Sequence, residues 1–253
     1  MSVKWIITDI DGCLTPEESE PWDIELFGRV AQLSREASAG RGSLAPMTLC
    51  TGRPQPYVEA LMKVLDIRAP AICESGAVLY SIEDNRSRYG AGVTEEKLLG
   101  LRAVRAFIET DILPAEPGVL LQFGKEAHIS VYSSRPEVFA SLRGRIQHFA
   151  EQRGGPDLII DATSYYLNIS LAGVNKGNAI QNLLVELEAT RDEVAGIGDA
   201  EGDLPLCEAV GFFACPANAT PALKAVADYV SPYPTLEGML DILGRPELQR
   251  AQA

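Results

Sequence analysis

Residues able to do chemistry fall in four short segments. Asp9 and Asp11 stand two apart in Asp9-Ile10-Asp11-Gly12-Cys13-Leu14-Thr15, directly after an apolar run. Carboxylates at that spacing leave an extended strand on one side, and a turn at Gly12 lets them diverge. One can then attack an electrophile while the other moves protons. The same residues also read as a plain Asp-Gly turn, with Asp9 a helix cap. Thr51-Gly52-Arg53 follows a second apolar run. Its hydroxyl and the backbone amides after it can face the same crevice, or simply turn the chain. Lys176 opens a helix predicted after Asn175. A cation in a first turn opposes the helix dipole unless an anion is bound there, the alternative being a solvated surface lysine. Gly198-Asp199-Ala200-Glu201-Gly202-Asp203 follows a third apolar run. Its acids can hold a divalent cation, and magnesium suits a site with few protein carboxylates and a substrate phosphate. A plain acidic loop is the other reading.

These segments need elements that bring them to one edge. Val3–Thr8, Pro46–Cys50 and Val194–Ile197 read as buried parallel strands. Asp23 is placed to cap a helix carrying Leu26, Val30 and Leu33 inward, and Val58, Leu61, Met62 and Leu65 recur at helical spacing after Pro54. Ala71–Cys73 is a short strand, followed by a hairpin through residues 78–89. The rhythm changes from Thr94. A helix with Leu98, Leu101, Val104 and Ile108 precedes strands at 119–123 and 128–133. A helix from Pro136 with Val138, Leu142, Ile146 and Phe149 precedes strands at 157–161 and 166–171. That αββαββ block suits a small antiparallel sheet with helices on one face. The expected fold is α/β: a doubly wound, Rossmann-like parallel-sheet core (1–91 and 173–253) with an inserted α+β domain (92–172). In such sheets ligands bind at the carboxyl edge of the strands.

Composition narrows the function classes. The 253 residues carry 22 Lys+Arg against 35 Asp+Glu, a formal net charge of −13, with 46% apolar residues. That charge argues against binding nucleic acid through its phosphates, and the apolar content argues against a disordered acidic chain. No apolar run approaches the ~20 residues of a membrane span, and Met1-Ser2-Val3-Lys4 shows no leader pattern. Five cysteines without a CxxC pair argue against zinc and against a secreted disulfide framework, so a cytoplasmic location is expected.

The ordered set DIDGCLT (9–15), TGR (51–53), NKG (175–177) and GDAEGD (198–203) resembles the haloacid dehalogenase superfamily of phosphohydrolases. The inserted block is similar to the cap of its Cof-type branch, and Glu74-Ser75-Gly76-Ala77 resembles that branch's ENG signature with serine for asparagine. The runs Pro56-Tyr57-Val58-Glu59-Ala60-Leu61 and Cys215-Pro216-Ala217-Asn218-Ala219-Thr220, with Lys224-Ala225-Val226, resemble the archaeal-type phosphoglycolate phosphatases. The resemblance implies a magnesium-dependent phosphatase for a small phosphorylated metabolite, with 2-phosphoglycolate the best single choice. It implies Asp9 as the nucleophile that becomes an aspartyl-phosphate. Asp11 would be the proton donor and acceptor, and its carbonyl would bind magnesium. Thr51 and Gly52, with Arg53 in the same motif, would lie on the substrate phosphate, and Lys176 would neutralise phosphate and Asp9. Asp199 would ligate magnesium, Asp203 would support it, and Asn218 would lie on the phosphate side. Gly202 and Ser75 depart from the family pattern, where asparagine is usual.

Tyr166 and Asn168, on the last strand of the inserted block, are candidates to face the substrate, beside an edge-packing role; His128 and His148 are expected in ordinary surface or half-buried positions. A sugar-phosphate phosphatase, a phosphomutase akin to the phosphomannomutases (Leu14-Thr15-Pro16) and a phospho-acceptor signalling module are the competing functions. No nucleic-acid or membrane partner is expected, and a homodimer is left open.

Overall fold

A computed structural model describes residues 3–16 and 20–250; Met1 and Ser2, on which the expectation about a leader partly fell, lie outside the described residues. The chain packs as two units. One comprises the described residues up to Arg88 and from Lys176 onward, the other Tyr89–Asn175.

The first unit begins with β1 (Trp5–Thr8), α1 (Ile24–Ser38), β2 (Met47–Leu49), α2 (Gln55–Leu65), β3 (Ala71–Cys73), β4 (Val78–Ser81) and β5 (Arg86–Tyr89). The second unit follows with α3 (Glu95–Phe107), β6 (Val119–Leu121), β7 (Ile129–Ser133), α4 (Phe139–Gln152), β8 (Leu158–Ala162) and β9 (Tyr166–Leu171). The chain then returns to the first unit with α5 (Lys176–Glu186), β10 (Val194–Ile197), α6 (Leu204–Ala209), β11 (Phe212–Cys215), α7 (Pro221–Lys224), β12 (Tyr229–Val230) and α8 (Thr235–Leu243).

The core sheet is parallel, in the order β12-β11-β10-β1-β2. From β1 the chain steps to β2 on one side; from β10 it steps through β11 to β12 on the other. The order therefore reverses between β1 and β10, the place where open α/β sheets leave a crevice at their carboxyl ends. Thr8 is level with both Ile197 and Leu49, so β1, β10 and β2 end together. Ile6 and Ile7 point to opposite faces and neither is exposed, which is why β1 is apolar without alternation. Ile7, Ile72, Leu183, Leu206 and Phe213 share one core cluster. A bridge from Cys50 to Ile72 ties the β3-β4-β5 sheet to the end of β2.

Helix starts follow their caps. Asp23 accepts from the Leu26 amide at 2.9 Å, Thr94 from Lys97 at 3.3 Å and Thr220 from Leu223 at 3.4 Å. The inward stripe of α1 is Phe27, Val30, Ala31 and Ser34, rotated from the expected Leu26–Val30–Leu33. Phe27 is the largest apolar group of that helix and takes the core position, with its ring 5.1 Å from that of Trp22. Helix α4 starts at Phe139, after a single tight turn from Pro136, and buries Phe139, Leu142, Ile146 and Ala150. Phe149, expected inward, instead stacks on Phe107 at 4.2 Å.

In the second unit the antiparallel order is β6-β7-β9-β8. Alternation gives one face to Val131, Leu167 and Ile169, all buried, and the other to Tyr132, Tyr166 and Asn168. Among the described residues no helix is long and apolar enough to cross a membrane.

Candidate active site

Asp9 is the first residue past β1, its amide still bonded to the Ile197 carbonyl at 2.9 Å. The chain then folds onto the Ile10 carbonyl, which accepts from the amides of Leu14 and Thr15 at 2.8 and 2.9 Å. Gly12 turns this loop at φ +74°, and a Cβ there would come within 2.0 Å of Asp199 Oδ2. The glycine is thus required twice, by conformation and by the approach of the Asp199 carboxylate. Asn218 ties the loop down. Its Nδ2 donates to the Gly12 carbonyl at 3.0 Å and its Oδ1 accepts from the Thr235 amide at 2.8 Å. In this structure Asn218 therefore meets the loop after Asp9 through backbone.

Lys176 enters from the first turn of α5 and is 7% exposed. Its Nζ lies 3.2 Å from Asp9 Oδ1 and 2.5 Å from Asp203 Oδ1. The other oxygen of Asp203 accepts from the amides of Asp199 and Ala200 at 3.0 and 3.2 Å. Asp203 is wholly buried, and both of its oxygens are engaged in holding Lys176 and the loop of Asp199. Burial alone would lower the Lys176 pKa, but Asp203 and Asp9 outweigh it and hold the ammonium well above its ordinary value. Burial, Asp203 and Asp11 push Asp9 up to about 7, against Lys176 and the Ile10 amide.

Thr51 follows the end of β2, beside Asp9, because Cys50 donates to the Thr8 carbonyl at 2.9 Å. Its side chain is buried and accepts from the Arg53 amide at 3.1 Å. The Arg53 side chain goes to Asp11: Nε donates to Oδ2 at 2.7 Å and one terminal nitrogen to Oδ1 at 2.6 Å. The guanidinium lies over the Tyr57 ring at 5.2 Å, and the Tyr57 hydroxyl pairs with the Thr15 side chain.

A carboxylate-rich centre needs a cation to be tolerated. Oxygens of Asp9, Asp199 and Asp203 lie within 4.8 Å of one another, and all three residues are buried. Among the described residues Asp9 Oδ1 accepts no hydrogen bond, although it is buried. That oxygen has only the ion-pair approach of Lys176 at 3.2 Å to offset its burial, and with a second carboxylate held against the Gly12 turn it fits a small hard cation taking oxygen ligands. Asp9 and Asp199 are the carboxylates best placed to hold it, with Asp203 bracing them. Cysteine chemistry does not fit: burial pushes the Cys50 thiol up to about 12 and Cys13 well above its ordinary value.

The structure thus brings Asp9, Asp11, Thr51, Gly52, Arg53, Lys176, Asp199, Asp203 and Asn218 to one edge of the core sheet. Tyr166 and Asn168 belong to the second unit. There Asn168 Oδ1 accepts from Ser130 Oγ at 2.6 Å, which accepts from Lys125 Nζ at 2.7 Å. His128, expected at the surface or half-buried, is 3% exposed, with Nδ1 3.3 Å from Lys125 Nζ. Burial, then Lys125 and Arg105, hold its pKa well below the ordinary value. Polar neighbours in sequence hid this burial; the β7–β9 pairing adds Asn168 to the local Lys125–His128–Ser130 cluster.

Sequence reasoning also gave no role to the turn at Glu74 and Ser75, at φ +49° and +56°. The Glu74 amide donates to the Arg53 carbonyl at 3.0 Å and the Ser75 amide to Thr51 at 2.9 Å, so this turn anchors the Thr51–Arg53 loop. Asparagine enters the left-handed region more readily than serine, so Ser75 carries some strain. Gly202 has open space where a side chain would stand.

The chain is similar to known proteins. A family model described as haloacid dehalogenase-like hydrolase matches residues 124–243. The chain is 27% identical over 231 residues to a phosphoglycolate phosphatase of Thermoplasma acidophilum, covering 91% of this chain and 92% of the relative. It is 26% identical over 243 residues to one of Methanospirillum hungatei, covering 95% of each. Among solved structures, a Thermoplasma acidophilum protein superposes with a TM-score of 0.72 at 24% identity, covering 96% and 97% of the two chains. A haloacid dehalogenase-like hydrolase from Bacteroides thetaiotaomicron gives 0.72 at 16% identity, covering 95% and 98%.

Proposed function

We propose that the chain, of which residues 124–243 match the haloacid dehalogenase-like hydrolase family, is a magnesium-dependent phosphomonoesterase of that family working through an aspartyl-phosphate, with 2-phosphoglycolate its best substrate. The observation that carries the proposal is the buried Lys176 ammonium between Asp9 and Asp203 at the sheet's switch point.

In this reading the ionised Asp9 attacks phosphorus, and the bond from phosphorus to the ester oxygen breaks. Asp11 gives the departing oxygen a proton. A water then attacks the aspartyl-phosphate, Asp11 takes its proton, and the Asp9 oxygen–phosphorus bond breaks to release phosphate. Thr51 and the Gly52 amide hold phosphate oxygens, while Lys176 offsets the repulsion between the Asp9 carboxylate and an anionic substrate. Asp9, Asp199 and the Asp11 carbonyl would hold the magnesium ion, with Asp203 in support; when bound it supplies further positive charge against the phosphate. Tyr166 and Asn168 of the second unit remain candidates for contact with the organic part of the substrate. The substrate assignment is supported by relatives known as phosphoglycolate phosphatases that align over most of their length.

The test is phosphate release from phospho-acids, sugar phosphates and p-nitrophenyl phosphate, with magnesium and in excess chelator. Activity is expected only with magnesium and highest with 2-phosphoglycolate. Asp9→Asn should form no phosphoenzyme. Asp11→Asn should slow alkyl esters by roughly 10²–10⁴-fold and the aryl ester far less, because nitrophenolate leaves without a proton. Full activity in chelator, or phosphoprotein in Asp9→Asn, would overturn the proposal.

A further inference from the structure

The Arg53 guanidinium takes both oxygens of Asp11, at 2.7 and 2.6 Å, in a planar two-bond pair. A departing ester oxygen needs one of those same oxygens, so the pair competes with the proton transfer assigned to Asp11. The backbone of Arg53 is held at both ends. The Arg53 amide is bonded to Thr51 Oγ1 and its carbonyl to the Glu74 amide. The side chains of Arg53 and Asp11 are 28% and 30% exposed, so water and small anions reach the pair. Tyr57 lies under the guanidinium plane and gives it a surface to pivot on.

We propose that Arg53 is a specificity-determining residue: a second anionic group on the substrate, a carboxylate, draws its guanidinium off Asp11 and so frees Asp11 to act. The inference rests on the reading of this site as a phosphomonoesterase and names the substrate class that the site favours. A substrate carboxylate offers the guanidinium the same planar two-oxygen partner that Asp11 offers. The exchange keeps the hydrogen bonds of Arg53 in number and kind. A neutral hydroxyl cannot accept two parallel N–H bonds, so a sugar phosphate or alcohol phosphate leaves Asp11 bound to Arg53. Binding of the correct ester and assembly of the proton-transfer group thereby become one event.

The test uses the full chain with magnesium and size-matched ester pairs: 2-phosphoglycolate against 2-hydroxyethyl phosphate, and 3-phosphoglycerate against glycerol 1-phosphate. p-Nitrophenyl phosphate, whose leaving group needs no proton, is the reference. Wild type should favour the carboxylated member of each pair in kcat/KM by roughly 10- to 100-fold, the span of one charge-assisted hydrogen bond. In Arg53→Gln that ratio should fall toward one, through a higher KM for the carboxylated ester and a higher kcat for the neutral one. Arg53→Lys, a point charge without the fork, should restore only part of the ratio. An equal loss on both members of each pair and on the aryl ester would make Arg53 structural and overturn the inference. So would a wild type that releases phosphate from both members equally, leaving the phosphomonoesterase reading intact. No phosphate release from any ester would overturn that underlying reading instead.

Discussion

Lys176 Nζ is closer to Asp203 Oδ1, at 2.5 Å, than to Asp9 Oδ1, at 3.2 Å. The lysine is therefore anchored by one carboxylate and presented to another, and the anchor also bonds the amides of Asp199 and Ala200.

Asp203→Asn should loosen the ammonium and the Asp199 loop together. An amide keeps the shape but loses the charge, and it presents a donor on one side where both carboxylate oxygens now accept. We expect kcat to fall by about 10- to 100-fold, with a smaller change in KM. Steady-state kinetics at saturating magnesium checks this. Wild-type kcat in Asp203→Asn would show that Lys176 needs no such anchor.

Gly12→Ala places a methyl within 2.0 Å of Asp199 Oδ2 and forces a residue with Cβ to φ +74°. The backbone cost is about 1–2 kcal/mol, which lowers the melting temperature without unfolding the chain. The greater effect is expected on the site, where Asp199 must move away from the turn. Magnesium titration of phosphate release should show a weaker apparent affinity, by roughly 10-fold or more. An unchanged titration curve would count against Asp199 as a metal-holding residue.

Asp9 is raised from 3.8 to about 7 by burial and Asp203. The folded chain binds this proton more tightly than the unfolded chain, so metal-free stability falls as pH rises between those values. Above pH 7 the full cost of the ionised group is present. Asp9→Asn removes it. In chelator the variant should exceed wild type by roughly 2–4 kcal/mol at pH 8, and the gap should close by pH 4. Urea unfolding across that range is the measurement, and a less stable variant at pH 8 would contradict it.

His128 has the opposite sign. Its folded pKa lies well below 6.5, so above that pH both states are neutral and nothing is lost. As pH falls from 6.5, the unfolded chain gains a proton that the folded chain refuses. Stability then drops by up to about 1.4 kcal/mol per pH unit until the folded pKa is reached. His128→Gln should flatten this dependence between pH 6.5 and 5. Unfolding monitored in the second unit would show it, and an unchanged slope would place the acid sensitivity elsewhere.

The sequence by itself determined the order of elements and the four reactive segments. Short continuous apolar runs such as Val194–Ile197, bounded by turn residues, read as strands buried on both faces, and the αββαββ block was readable from the change of period at Thr94. Asp9, Thr51 and Asp199 were legible because each directly follows such a run, and chain position at a strand's carboxyl end is a local property. What only the tertiary structure decided is who holds whom. Asp203 as the anchor of Lys176, Asn218 on the Gly12 carbonyl and Arg53 on both oxygens of Asp11 join residues far apart in the chain, and the burial of His128 beside Lys125 comes from the packing of the second unit. The reversal of strand order between β1 and β10 places those core partners at one crevice. Residue type and spacing carry the chemistry each group can do; burial and partner distance set which of those chemistries it is left free to perform.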